Sequence, residues 1–169
     1  MRDPANLTLS RYPEDRSGTL VAMDAADRYL LQQLTANAAD DSPPLLINDN
    51  FGALACALHA HAPHSWGDSW LAWRALQNNL QANQLAPEQV HFFHSQQRPP
   101  GPYQRVLLRI PKSLALLEQQ LHQVRPLLAP GARVIAGAML KHLPPSAGEL
   151  LARYIGPCQA SLAWKKARL

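Results

Sequence analysis

Cysteine is scarce in this chain. Among 169 residues only Cys56 and Cys158 occur, far apart and without a CxxC partner. They read as two reduced thiols, which excludes a disulfide framework and a thiolate metal site. Long apolar runs are missing too, since His, Gln, Arg or Pro interrupts each one well before the roughly 20 residues that a membrane span needs. No membrane partner is expected. The opening MRDPANLTLSRYPEDRSG has no apolar h-region and no small-residue cleavage site, so a cytoplasmic location is the expectation. Internal repeats and low-complexity segments are also lacking. What is present, 47% hydrophobic against 17% charged residues, is a globular balance that fits one domain spanning 1–169.

Acidic residues are nearly absent from the second part of the chain. Ten of the twelve precede residue 90, leaving Glu118 and Glu149 beyond it. Arg98, Arg105, Arg109, Lys112, Arg125, Arg133, Lys141, Arg153, Lys165, Lys166 and Arg168 all lie in that part. The net charge of +4 is weak evidence by itself, but its distribution places the C-terminal portion against an anionic partner.

Hydrophobic periodicity alternates between helix and strand. Asp24 to Leu34 repeats apolar residues at helical spacing, with acids in its first turn where the helix dipole favours them, and ends near Thr35 to Ala38. After the breaker Asp40-Asp41-Ser42-Pro43-Pro44, Leu45 to Asn48 has the length of a buried strand and Ala53 to His61 reads as a helix. Further strands are expected at Pro63 to Asp68, Val90 to Ser95, Val106 to Ile110 and Ala132 to Ala138, with Pro130-Gly131 turning the chain into the last of these. The helices between them are Ser69 to Ala82, with Ser69 as cap, and Leu114 to Leu128. A helix at Ser146 to Tyr154 follows. The tail from Cys158 to Leu169, with Ala160, Leu162 and Trp164 alternating with polar neighbours, reads as an antiparallel edge strand. The fold class is α/β, Rossmann-like, with a mostly parallel sheet flanked by helices.

In such a sheet, ligands sit beyond the carboxyl ends of the strands. The first of these loops, in LLINDNFGALA, is poor in glycine: Asn48, Asp49, Asn50 and Phe51 occupy positions where a nucleotide-binding enzyme keeps small residues, and only Gly52 offers clearance. Asp68, at the end of the second strand, stands where ribose hydroxyls would be held. The pocket is therefore expected to be vestigial; whether the side chains of Asn48 to Gly52 fill its space is for the structure to show, and an open, adenosyl-sized cleft above Gly52 beside Asp68 would count against a broken loop. Arg109-Ile110-Pro111-Lys112 sits where a methyltransferase acting on an exocyclic amine places Asn-Pro-Pro-Phe or Tyr. Arg and Lys only donate hydrogen bonds and cannot hold an amine, but they suit phosphate. No catalytic residue is expected. The histidines of HAHAPH (His59, His61 and His64) lack a further ligand nearby, and no metal is expected. Trp66, Trp70 and Trp73 are expected to pack in the core. Trp164-Lys165-Lys166-Ala167-Arg168 is the best short candidate for a nucleic-acid contact.

Several runs together resemble one family: YLLQQL at 29–34, NDNFGAL at 48–54, GDS at 67–69, LALLEQQL at 114–121, IAGA at 135–138 and SLAWKKARL at 161–169. They are similar to the N-terminal domain of the ribosomal RNA large subunit methyltransferase G family, bacterial enzymes that methylate the N2 amine of a guanine in 23S rRNA. The similarity spans almost the whole chain, and its closing run is specific. Members resemble the small-subunit guanine-N2 methyltransferase C in carrying two methyltransferase-like domains in tandem. The resemblance implies that the second domain binds S-adenosylmethionine and bears the catalytic Asn-Pro-Pro-Phe motif, while the first has lost both and helps hold the RNA. None of the family's catalytic or cofactor residues matches a position here.

The resulting expectation is a non-catalytic substrate-recognition or structural domain of an S-adenosylmethionine-dependent 23S rRNA guanine-N2 methyltransferase. It would bind no cofactor itself. Its partners would be ribosomal RNA and its own C-terminal catalytic domain, which this chain does not include. Arg109, Lys112, Lys141, Lys165, Lys166 and Arg168 are the expected RNA contacts. Competing readings are the equivalent domain of a 16S rRNA enzyme, a docking module that never meets RNA, and an enzyme that binds S-adenosylmethionine in an unusual loop.

Overall fold

Side-chain alternation along the strands builds two hydrophobic layers on opposite faces of one sheet. The computed structural model describes residues 1–35, 40–162 and 167–168. Its strands are β1 (Leu45–Ile47), β2 (His64–Trp66), β3 (His91–Phe93), β4 (Tyr103–Arg109), β5 (Leu128–Met139) and β6 (Ala167–Arg168), ordered β3-β2-β1-β4-β5-β6. The first five are parallel, and β6 runs antiparallel to β5 through Ala138↔Arg168 and Met139↔Ala167.

Leu46, Leu107 and Ile135 point to one face. There they meet α1 (Ala25–Thr35), α2 (Ala53–Ala57) and α3 (Trp70–Ala82) through residues such as Leu30, Leu54 and Leu76. Leu45, Ile47, Val106 and Leu108 point to the other, against Leu117 and Leu121 of α4 (Leu114–Val124) and Leu151 of α5 (Ala147–Tyr154). Because β1 lies between helices on both sides, all three of its residues are buried, which is why it reads as a continuous apolar run. Among the described residues no helix is long and apolar enough to cross a membrane.

Boundaries differ from the sequence reading where backbone chemistry intervenes. Helix α4 ends at Val124, not Leu128, because Arg125–Leu127 tightens into a 3-10 turn that tolerates Pro126 near its start. Strand β5 already begins at Leu128. Its register with β4 steps from Tyr103↔Leu128 to Arg105↔Arg133, so Pro130-Gly131 is a bulge within the strand, with Gly131 at φ 73°. Of the expected tail strand, Ala167–Arg168 is strand, whereas Cys158 to Leu162 forms no element and Leu162 is 90% exposed. The expected positions Ala38 and Trp164 lie outside the described residues.

Candidate functional site

The crossovers from β1 lead towards β2 and β3, whereas those from β4 lead towards β5. The strand order thus reverses between β1 and β4, and a cleft of about 450 Å³ opens there at their carboxyl ends. Asn48 follows β1 with φ 63°, a left-handed conformation that asparagine tolerates. Its Nδ2 donates to the Arg109 carbonyl at 2.9 Å, and it exchanges amide hydrogen bonds with Gln120 at 2.9 and 2.8 Å. The loop after β1, the end of β4 and helix α4 are thereby tied together.

The side chains of Asn48 to Phe51 leave the space beside Asp68 open: Asn48, Asp49, Asn50, Phe51 and Asp68 all belong to the cleft wall, which counts against a pocket closed by this loop. The amides that are taken are those at the start of α2. Asp49 turns inward and accepts from the Leu54 and Ala55 amides at 3.3 and 2.9 Å, consuming the donors at the start of α2. Burial pushes its carboxyl up to about 6, with the α2 amides and the Arg109 charge pulling the other way. Gly52, at φ 74°, offers no clearance to a ligand either: a Cβ there would lie 2.6 Å from the Leu76 Cα, so helix α3 occupies the space. An S-adenosylmethionine would find the volume and an acid at the end of β2, but the Leu54 and Ala55 amides already bonded to Asp49 and Leu76 packed against Gly52. The donor set does not fit it.

Arg109 departs from the expectation of a phosphate-facing cation. Its Nη1 meets Asp24 Oδ1 at 2.5 Å and Asp27 Oδ1 at 2.8 Å, and its Nη2 meets Asp24 Oδ2 at 3.0 Å; its side chain is 15% exposed. The two acids also cap α1 reciprocally. Asp24 Oδ1 accepts from the Asp27 amide at 3.2 Å, and Asp27 Oδ2 accepts from the Asp24 amide at 2.9 Å. One guanidinium faces two carboxylates, and the pair resolves by burial. Desolvation lifts the deeper Asp27 up to about 7. For Asp24 desolvation acts the same way, but the hydrogen bond and charge of Arg109 outweigh it and hold the carboxyl below its usual range. At the strand end where an amine methyltransferase needs acceptors, this chain therefore presents an internal ion cluster.

The free cations sit on the rim. Lys112, just before the cap Ser113 of α4, and Lys141 are both exposed, and His142 lines the cleft beside them. Desolvation, then the charges of Lys112 and Lys141, lower the pKa of His142, which marks the three as neighbours. Other basic residues of the second part go elsewhere: Arg105 is buried at the amino end of β4, bonded to the Ser42 carbonyl, while Arg133 is exposed opposite it in register. Of the remaining expected contacts, Lys165 and Lys166 lie outside the described residues, and Arg168 belongs to β6.

A segment that sequence reading left as a polar start completes the rim. Asn83 bonds both the amide and the carbonyl of Thr8, at 2.8 and 2.7 Å, and Asn79 does the same for Ser10, at 2.8 and 2.9 Å. Two extended residues advance about 6.6 Å and four helical residues about 6.0 Å, so asparagines at i and i+4 can mimic a strand partner. This strap carries Arg11 to the cleft, its guanidinium carbon 4.6 Å above the Phe51 ring. The Asn79, Asn83 spacing was the available signal.

The tryptophans do not share one environment. Trp66 is buried in β2 and donates its Nε1–H to the His94 carbonyl, Trp73 is half-buried, and Trp70, expected in the core, is 58% exposed with Tyr12 edge-on to it at 6.1 Å. The HAHAPH histidines diverge: His59 bonds the Ala86 carbonyl at 2.8 Å and His64 bonds the Tyr103 hydroxyl at 2.7 Å.

Sheet order and cleft together define a methyltransferase-like α/β domain. The same fold is found in precorrin-6y C5,15-methyltransferase from Geobacter metallireducens GS-15, with a TM-score of 0.64 at 13% identity over 89% of this chain and 76% of that one. The glycopeptide N-methyltransferase MtfA complexed with S-adenosyl-L-methionine superposes with a TM-score of 0.52 at 13% identity, over 66% of this chain and 49% of that one. More particularly, the chain belongs to the RLMG N-terminal domain family, whose model matches residues 2–169. It is 54% identical over 167 residues to "Ribosomal RNA large subunit methyltransferase G" of Stutzerimonas stutzeri (strain A1501) and 54% identical over 168 residues to the protein of that name in Ectopseudomonas mendocina (strain ymp). These matches cover 98% of this chain but 44% and 45% of the relatives, so the chain spans less than half of their length.

Proposed function

We propose that this domain is the non-catalytic, RNA-recognising N-terminal part of an S-adenosylmethionine-dependent 23S rRNA guanine-N2 methyltransferase acting in the cytoplasm. The transfer of the methyl group belongs to a second domain outside this chain, which also binds the cofactor. The observation that carries the reading is the state of the carboxyl-end site within a methyltransferase fold. Arg109 is engaged by Asp24 and Asp27 where acceptors for an amine would be required, and Asp49 takes the Leu54 and Ala55 amides at the start of α2. What the face keeps for a partner is positive charge on its rim, at Lys112 and Lys141, with Lys165, Lys166 and Arg168 as further RNA contacts in the basic tail. Arg109 is not among them.

Filter binding of the chain to a large-subunit rRNA fragment at two salt concentrations tests this. Lys112→Glu with Lys141→Glu should weaken binding and flatten its salt dependence, by about 0.7 in log–log slope per lost single-strand phosphate contact. Binding and slope unchanged by the pair would remove these residues from the interface. No binding by the unaltered chain would favour a module that only docks on the catalytic domain.

A further inference from the structure

Asp68 follows β2 at the carboxyl edge of the sheet. Its carboxylate is exposed and has no hydrogen-bond or ion-pair partner among the described residues, yet it borders the main cleft and two smaller cavities of about 90 and 20 Å³. The surroundings are those of a nucleobase site. Phe51 and Val21 form an apolar wall of the cleft, and the Arg11 guanidinium lies against the Phe51 ring. Trp70, two residues beyond Asp68 and outside the residues that line the cleft, presents an exposed indole with Tyr12 edge-on to it at 6.1 Å. Unpaired bases can stack on an exposed indole. Lys112 lines the cleft with His142, and Lys141 is exposed next to His142; both lysine charges act on that imidazole. A cleft of about 450 Å³ is within the range of small-molecule sites, roughly 300 to 1,000 Å³.

The acceptor decides which base. A carboxylate accepts two adjacent donors. Guanine alone among the four bases offers them on its pairing edge, through N1–H and the N2 amine. Adenine and cytosine set a ring acceptor beside their amine, and uracil flanks its single N–H with two carbonyls. We propose that the cleft receives one unpaired guanine nucleotide of RNA, its pairing edge on Asp68, its base against the aromatic wall and its phosphate towards Lys112 and Lys141. This rests on the RNA-recognition reading above and assigns the emptied cofactor position to a recognised base rather than to a reacting one.

The test is a fluorescence-anisotropy titration of the chain with end-labelled single-stranded pentanucleotides, UUGUU, UUIUU and UUAUU. Inosine keeps N1–H and lacks the N2 amine, so guanine should bind about tenfold tighter than either, the loss expected when a charged acceptor is left half-paired. Asp68→Ala should abolish that preference while leaving salt-dependent residual binding, and Trp70→Ala should weaken all three together. Both side chains are exposed, so the variants keep the fold. Equal affinity for the three oligonucleotides, a preference that survives Asp68→Ala, or displacement of UUGUU by S-adenosylmethionine would overturn the proposal. Equal, salt-sensitive binding would do so while sparing the RNA-recognition reading; absence of binding to these oligonucleotides and to rRNA would end both.

Discussion

Asp27 and Asp24 share one guanidinium, and that imbalance has a measurable signature. Burial raises the Asp27 carboxyl from its ordinary 3.8 to about 7, so between those values the folded state holds a proton that the unfolded chain has released. Its contribution to stability is therefore largest in acid and is lost as pH rises towards 7. Asp27→Asn removes the titration. The stability of the original chain relative to this variant should fall by about 3 kcal/mol between pH 5 and pH 8, read by urea denaturation at each pH. A constant difference would show that Asp27 stays ionised in the fold. The donor chemistry of Arg109 was legible in the sequence. Its partners were not, because Asp24 and Asp27 lie 85 and 82 residues away, and helical periodicity marks them only as acids at a helix start.

Helices declared themselves more clearly than the segments between them. Periodicity located α1, α3 and α4, and the caps Ser69 and Ser113 accept from the Ala72 and Leu116 amides three residues on. Apolar content found the strands but not their ends, since the Pro130-Gly131 bulge resembles a turn until its register with β4 is known. The strap at residues 8–11 was invisible for another reason: it buries little and is held by side-chain amides of α3. Asn79 is fully buried and also donates to the Phe51 carbonyl at 2.8 Å. Asn79→Ala leaves the Ser10 amide and carbonyl and the Phe51 carbonyl without this partner, so a loss of about 2 to 3 kcal/mol is expected. Amide hydrogen exchange should quicken at Ser10 more than in the centre of β4. Uniform loss of protection would mean that the strap is no separate unit.

Across the whole molecule, the sheet order, the reversal between β1 and β4 and the cleft at that point are those of a domain built to hold a ligand at its carboxyl edge. The alternation of strands and helices made the architecture legible. The fate of the cleft was not, because a glycine-poor loop can be filled or merely stripped of donors, and only the positions of Asp49 and Leu76 distinguish the two. Here Asp49 occupies the amides and Leu76 the space at Gly52, while the cleft stays open. The central claim is that this fold has given up its cofactor while keeping the place where one would lie. Isothermal calorimetry of the chain with S-adenosylmethionine tests it most directly: no saturable heat is expected up to millimolar ligand, whereas a saturating isotherm that Asp68→Ala abolishes would contradict it.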